Sequence, residues 1–388
     1  MAYTMLEEGP YGPAPTQWRQ GLRPAPTQSR QQQRITAERI LVIQFRQIGD
    51  VLLSTPVLRA LRQHYPQSYI AFLTEPSPGR VLQGNLCLDA VFIRPRHVTW
   101  RQQWQLWRQI RRQRFDLVID LIGNPRSALL TYLSGAKHRL AFARFPRSLL
   151  YTMLVRHHPV PDVPEYTVAK RLRLLEPLGI QATDLTPSLA YTQREQDAVA
   201  TFLRAHSIAP DDLLICIDPT TPVLTRQWPG AHFSALADML SERLGARVLL
   251  LWGPGEEAQV QAIAAAARSR PTLIPAWGLD TLAALLARAD LFVGCNSAPL
   301  HIAVSQGIPT LTIMGATLSV NWIPPEPQHR AVLAGLPCQP CEKNYCGPPL
   351  NIACLRTLTV ETVFAAVQAC SPWVSKPQRL HANVPDQH

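Results

Sequence analysis

What most constrains this chain is an alternation that occurs twice: apolar runs of strand length, separated by loop or helical material, in two successive series. The first series is Arg39-Ile-Leu-Val-Ile-Gln-Phe45, Tyr69-Ile-Ala-Phe-Leu73, Ala90-Val-Phe-Ile93 and Asp116-Leu-Val-Ile-Asp120. The second is Leu213-Leu-Ile-Cys-Ile217, Val248-Leu-Leu-Leu-Trp252, Leu291-Phe-Val293 and Thr310-Leu-Thr-Ile313, with helical segments near 230–243, 256–268 and 281–288. Runs apolar at consecutive positions suit strands covered on both faces. Their alternation with helices is the pattern of a parallel sheet made of βαβ units. The fold class expected is α/β, with two doubly wound domains joined between 185 and 212. At 388 residues the chain has room for two cores of roughly 150 residues each. The first domain is placed at 36–190 and the second at 191–371. Residues 1–35, rich in Pro, Gln and Arg without a hydrophobic period, are expected to be a disordered tail, and 372–388 a flexible one.

Composition removes several function classes. Hydrophobic residues at 46% and charged residues at 17% are those of a globular chain, not a disordered one. No apolar run reaches the ~18 residues of a membrane span, and no basic-then-apolar leader opens the chain, so a cytoplasmic protein is expected. A net charge of +11 favours polyanionic partners: nucleic acid, anionic lipid or a phosphorylated saccharide. No recognised nucleic-acid module accompanies the arginines, which turns the reading away from nucleic acid. Eight cysteines without a leader point to reduced thiols or a metal site rather than a disulfide framework.

Ligands of doubly wound sheets sit beyond the carboxyl ends of the strands, which directs attention to four loops. The first is Arg46-Gln-Ile-Gly-Asp50, where Gly49 is read as permitting a tight turn and Asp50 either as a functional carboxylate or as an ordinary first-turn Asp favoured by the helix dipole. The second is Gly294-Cys-Asn-Ser-Ala-Pro-Leu-His301. Here Asn296 or Ser297 can cap a helix, Pro299 suits its first turn, and free N–H groups from Ala298 onward make an anion site; His301 is either a ligand or a structural hydrogen-bonder. The third holds Thr220, Thr221 and Arg226, hydroxyls and a guanidinium suited to phosphate, beside a Trp228 that also reads as simple packing. The fourth, Gly253-Pro-Gly-Glu256-Glu257, lacks the spacing of a dinucleotide loop.

Taken in order, Ile40-Leu-Val-Ile43, Gly49-Asp-Val-Leu-Leu53, Pro56-Val-Leu-Arg-Ala-Leu61, Phe115-Asp-Leu-Val-Ile-Asp-Leu121 and Gly123-Asn124 resemble the heptosyltransferase family, glycosyltransferase family 9. The second half continues the resemblance with Arg226-Gln-Trp-Pro229, Gly253-Pro-Gly-Glu-Glu257, Leu285-Leu-Ala-Arg-Ala-Asp290, Pro299-Leu-His301, Gly315-Ala-Thr317 and the Cys338–Leu355 segment. It covers about 36–371.

The resemblance implies the GT-B arrangement, two Rossmann-like domains facing across a cleft, with acceptor bound by the first and nucleotide sugar by the second. It implies inverting, metal-independent transfer from ADP-heptose to a lipid-linked core saccharide in lipopolysaccharide biosynthesis. Asp50 is then the general base, and Thr220, Thr221, Arg226, Glu256, Asn296, Ser297, Ala298, His301 and Thr317 bind the donor. Three positions depart from the family pattern: Asn296 stands for its usual Asp, Arg226 for Lys, and Ala316 for Pro. The readings left open are another nucleotide sugar on the same fold, or a nucleotide-sugar-binding protein that has lost catalysis.

Two further features carry expectations. Cys338, Cys341, Cys346 and Cys354 form a C-x2-C-x4-C-x7-C array, compatible with a structural zinc or iron–sulfur site or with free thiols. Arg94, Arg96, Arg101, Arg108, Arg111, Arg112 and Arg114 interleave with Trp100, Trp104 and Trp107, and Arg139, Arg144, Arg147 and Arg156 surround Phe142, Phe145, Leu149 and Leu150, without an acid in either stretch. These segments are expected to dock the enzyme peripherally on the anionic cytoplasmic face of the inner membrane, unless the tryptophans pack inward as ordinary core.

Overall fold

The structure, a computed structural model, describes residues 35–96, 99–156, 164–349 and 351–370; apart from Ile35, both expected tails lie outside the described residues. Two six-stranded, wholly parallel sheets form the frame. The first contains β1 (Arg39–Ile43), β2 (Tyr69–Thr74), β3 (Ala90–Ile93), β4 (Leu117–Asp120), β5 (His138–Phe142) and β6 (Met153–Val155), in the order β3-β2-β1-β4-β5-β6. The second contains β7 (Leu214–Asp218), β8 (Arg247–Leu250), β9 (Thr272–Leu273), β10 (Leu291–Cys295), β11 (Thr310–Ile313) and β12 (His329–Val332), in the order β12-β11-β10-β7-β8-β9. Numbered within its own half, each sheet has the same doubly wound order. The strand order reverses between the parallel neighbours β1 and β4 in the first sheet and between β7 and β10 in the second. Such switch points open crevices at the carboxyl edge, where ligands bind.

The apolar runs explain why these strands are central. Ile40 and Val42 of β1 enter one buried cluster while Leu41 and Ile43 enter another on the opposite face, so the strand is covered on both sides. Each such side chain contributes roughly 1.5–3 kcal/mol by burial. The same alternation places Ile215 and Ile217 of β7 in one cluster and Cys216 in another.

The cluster holding Ile40 and Val42 also runs between the halves: it includes Val51 and Leu52 after β1 as well as Leu300, Ile302 and Ala303 of the helix Ala298–Ser305 after β10. Polar ties reinforce the join. The Thr167 hydroxyl donates to the Asn321 carbonyl at 2.7 Å, and Gln306 Nε2 donates to the Leu189 carbonyl at 3.2 Å. Residues 180–192, without helix or strand, carry the chain from one half to the other.

Two expectations of local structure are corrected. In the helix Trp100–Arg112 the buried residues are Leu106 and Ile110, whereas Trp107 is half-buried and Trp100 and Trp104 lie exposed; the tryptophan side does not pack inward. The turn ahead of Asp50 takes its positive φ at Gln47 and not at Gly49. Gly49 is required for a different reason, given below.

Candidate active site

At the first switch point, β1 leads into the short helix Ile48–Leu52, which carries Asp50, and β4 ends on Asp120. Arg171, from the helix Thr167–Arg173, reaches across to Asp50: Nη2 meets Asp50 Oδ1 at 2.6 Å, while Nη1 donates to the Asp50 carbonyl and, at 3.2 Å, to Ser54 Oγ. The guanidinium side chain is 8% exposed and the carboxylate 23%, so the pair is shielded but the acid still faces an opening. That opening is a cavity of about 230 Å³ lined by Asp50, Asp120, Arg144, Lys170, Arg171 and Trp322, among others. Trp322 comes from the second half of the chain, which places the cavity between the two sheets.

Asp120 is fully buried and serves a different purpose. Its Oδ1 accepts from the backbone N–H groups of Ile122 and Gly123, both at 2.9 Å, and its Oδ2 accepts from the Tyr151 hydroxyl at 2.6 Å. Burial pushes its carboxyl up from the ordinary value, and the Ser127, Tyr151 and backbone hydrogen bonds oppose that shift. These bonds brace the loop that forms one cavity wall and feeds the helix Pro125–Leu133, capped by Asn124 and Ser127.

At the second switch point β7 ends on Asp218 and β10 leads into Asn296 and Ser297. Ser297 occupies the cap position of the helix Ala298–Ser305, but its hydroxyl makes no cap; it donates to Asp218 Oδ2 in a very short hydrogen bond. The expected side-chain cap from Asn296 or Ser297 is therefore absent, and the first-turn N–H groups carry no side-chain partner. Burial, opposed by the Ser297 hydrogen bond and reinforced by the nearby Glu256, pushes the Asp218 carboxyl up to about 8. Thr220 and Thr221 are buried just past β7. Thr220 Oγ1 donates to Glu256 Oε2 at 2.9 Å, and the Gly253 N–H donates to the same oxygen at 2.8 Å. Arg226 closes a 3-10 turn, half-buried, and the neighbouring Thr225 carbonyl accepts from the Ala316 N–H at 3.0 Å, tying this loop to the one that bears Thr317. The third, fourth and second loops of the sequence thus converge on one strand edge.

The two switch points touch through Gly49 and His301. A Cβ at residue 49 would stand 2.7 Å from His301 Cδ2, so only glycine lets the Asp50 helix lie against the Ala298 helix. His301 is buried, its Nδ1 has no hydrogen-bond partner, and burial, aided by the Arg171 charge, pulls its pKa down to about 4; it is a neutral imidazole at physiological pH.

Residues 103–349 match the sequence model of a family described as glycosyltransferase family 9 (heptosyltransferase). The chain belongs to glycosyltransferase family 9. It is 30% identical over 297 residues to lipopolysaccharide heptosyltransferase 3 of Escherichia coli strain K12, covering 71% of this chain and 82% of that one. Among solved structures, a family 9 glycosyl transferase from Veillonella parvula superposes with a TM-score of 0.74 at 24% identity, over 86% of this chain and 97% of the other. The E. coli ADP-heptose lipopolysaccharide heptosyltransferase II does so with a TM-score of 0.68 at 19% identity, over 86% and 98%. The fold is accordingly the GT-B arrangement, and the chain is a glycosyltransferase of the heptosyltransferase family.

The residues named from the sequence fall on the two facing strand edges of this family 9 enzyme: Asp50 on the first, and Thr220, Thr221, Arg226, Glu256, Asn296, Ser297, Ala298, His301 and Thr317 on loops of the second. Three acidic or basic partners were not foreseen, namely Arg171, Asp120 and Asp218. Asp218 bears on the Asn296 departure, because the Asn296-Ser297 loop has a carboxyl group beside it after all. Trp228 is packing: fully buried, it donates from Nε1 to the Leu358 carbonyl at 3.0 Å. Cys338, Cys341, Cys346 and Cys354 surround one small cavity with Thr225 and Ala316, yet among the described residues no group of three or more His, Cys, Asp or Glu stands in metal-holding geometry. The thiols as placed do not fit a zinc ion or an iron–sulfur cluster, and that expectation is not supported.

Proposed function

We propose that this enzyme transfers heptose from ADP-heptose to a lipid-linked core saccharide, with inversion and without a metal ion, Asp50 acting as general base. The observation that carries the reading is the placement of Asp50: it lines a cation-rich cavity between the sheets, next to Gly49, which packs on His301 of the helix that begins at Ala298. The first domain, 36–190, would hold the acceptor and the second, 191–371, the donor. In the reaction an acceptor hydroxyl loses its proton to Asp50 while its oxygen forms a bond to the anomeric carbon. The bond from that carbon to the diphosphate oxygen breaks, and its electron pair leaves with the nucleotide. Single displacement inverts the anomeric centre. Arg171 holds Asp50 Oδ1 so that the other carboxylate oxygen takes the proton. The departing charge meets Arg226, the hydroxyls of Thr221 and Thr317, and the free N–H groups at Ala298, the kind of fixed dipoles that lower such barriers most, while Thr220, donating to Glu256, holds the loop. Asn296, Glu256 and His301 complete the donor loops. This charge stabilisation is what a metal ion supplies elsewhere, which supports the metal-free reading.

Supporting the donor assignment, the second structural relative is an ADP-heptose heptosyltransferase. Incubation of the purified enzyme and a lipid A–core acceptor with a panel of ADP-, UDP- and GDP-sugars, followed by mass spectrometry of product and released nucleotide, tests it. Heptosylated product with ADP release supports the proposal. Product from another nucleotide sugar alone overturns the donor, and binding without product from any overturns catalysis.

A further inference from the structure

The basic charge of this protein is concentrated in one segment. Between Ala90 and Pro161 there are thirteen lysines and arginines and two acids, Asp116 and Asp120, a surplus equal to the net +11 of the whole chain. One acid, Asp120, is buried and the other, Asp116, is half-buried. Asp116 accepts from the backbone N–H groups of Glu38 and Arg39, and Asp120 is the buried brace described above. The same segment presents large apolar side chains to solvent from three adjoining elements. The helix Trp100–Arg112 exposes Trp104 and, at 76%, Trp100; Pro125–Leu133 exposes Leu129 and Tyr132; and the turn around Arg147–Leu150 exposes Phe145 at 85% and Leu149 at 79%. The first two elements are pinned together where Trp107 Nε1 donates to the Leu133 carbonyl at 2.7 Å. The third packs on the second. Arginines stand against the exposed rings: Arg101 lies over Trp100 at 5.4 Å, Arg108 over Trp104 at 4.6 Å, and Arg139 over Tyr132 at 5.6 Å.

We propose that these three elements form a membrane-docking face that seats the enzyme on anionic phospholipid and sets the cavity mouth at the lipid headgroups. Exposed Phe, Leu and Trp side chains cost free energy in water and gain it at the boundary between headgroups and acyl chains. Surrounding arginines gain from the negative surface potential of an anionic leaflet. Aliphatic Leu129 and Leu149 offer nothing for bases to stack on, which favours lipid over single-stranded nucleic acid as the partner. Arg144 links the face to the chemistry, since it is exposed beside Phe145 and also lines the cavity that holds Asp50. The consequence for turnover rests on the proposed lipid-linked acceptor, whereas lipid binding itself does not.

Two measurements separate these. Flotation of the full chain uses sugar-free vesicles of phosphatidylcholine alone or with 30% phosphatidylglycerol as probe, roughly a composition that gives an anionic surface. Binding to the anionic vesicles only, weakening as salt rises, is expected. Changing Arg101, Arg108 and Arg112 together to Gln is expected to lower partitioning on the order of a hundredfold, at about fivefold per arginine. Phe145→Ser with Leu149→Ser is expected to lower it at constant charge. Both variants are expected to keep the parent's melting temperature and its rate on a water-soluble, deacylated acceptor, and to lose rate on acceptor embedded in anionic vesicles. Equal binding to both vesicle types, no binding to either, or binding unchanged in both variants overturns the docking face. So does a preference for RNA oligonucleotides over anionic vesicles that the arginine variant abolishes. Lipid binding with no transfer to either acceptor leaves the face standing and refutes the catalytic reading instead.

Discussion

Gly49→Ala is the substitution whose effect follows most directly from the geometry. The added methyl carbon would lie 2.7 Å from His301 Cδ2 and 3.4 Å from Nε2. Carbon atoms rest at about 3.5–4.0 Å, so the shortfall is on the order of 1 Å. His301 cannot swing aside, being fully enclosed in the first half of its helix; the two helices must part instead. Overpacking of this kind costs roughly 1–3 kcal/mol. Because Gly49 does not occupy the left-handed region, the alanine returns about 0.4–1 kcal/mol by restricting the unfolded chain. A net loss of about 1–2 kcal/mol is expected in urea denaturation. Turnover should fall further than stability, since displacing a reacting group by ~1 Å costs about 10²-fold. Adding His301→Ala removes the clash, so in a double-mutant cycle on stability the pair should couple by about 1 kcal/mol or more. If Gly49→Ala is as stable as the parent, or the two substitutions are additive, the helices do not meet as described.

Other outcomes follow from the same site. Burial keeps the Asp218 carboxyl protonated up to about pH 8 in the folded protein, against 3.8 for the free group, so folding takes up a proton in that window and stability falls as pH rises from about 4 to about 8. Asp218→Asn should remove that slope, gaining on the parent toward pH 8 in thermal melts; parallel curves would contradict it. Arg226→Ala should weaken nucleotide-sugar binding by roughly 1.5–3 kcal/mol in calorimetry, as loss of a charge-assisted contact does. Unchanged affinity would mean the guanidinium points elsewhere. Tyr151→Phe leaves buried Asp120 with one donor fewer and should cost about 1–3 kcal/mol of stability by urea denaturation, an expectation that fails if the loss is within error.

The central strands were legible because their apolar runs are continuous: Thr310–Ile313 was placed to the residue and β1, β4, β7 and β10 within two. At the edge of the first sheet Ala90–Ile93 was also placed to the residue, but several other strands away from the switch points were not legible. His138–Phe142 and His329–Val332 begin with polar pairs, and Thr272–Leu273 has two residues, so none presents a run that periodicity can detect. The site divided along similar lines. Loop residues at strand ends could be read from position alone, as could the helix start at Ala298. Arg171 and Asp218 could not, because their partners Asp50 and Ser297 lie 121 and 79 positions away and no local pattern marks a pairing made by the fold. Gly49 was read as a turn glycine because no local pattern reveals that His301, on the other domain, packs against it. The exposed tryptophans show the same limit: spacing put them on one side of a helix but did not say which side faces water.

In the proposed mechanism Asp50 is the base that acts on the acceptor and not on the nucleotide. Asp50→Asn keeps the shape and the contact with Arg171 while removing the proton acceptor. Single-turnover transfer should slow by about 10²- to 10⁴-fold. The dissociation constant for nucleotide sugar, measured on the same preparation, should stay within a few-fold of the parent. Transfer within a few-fold of the parent rate would contradict the account.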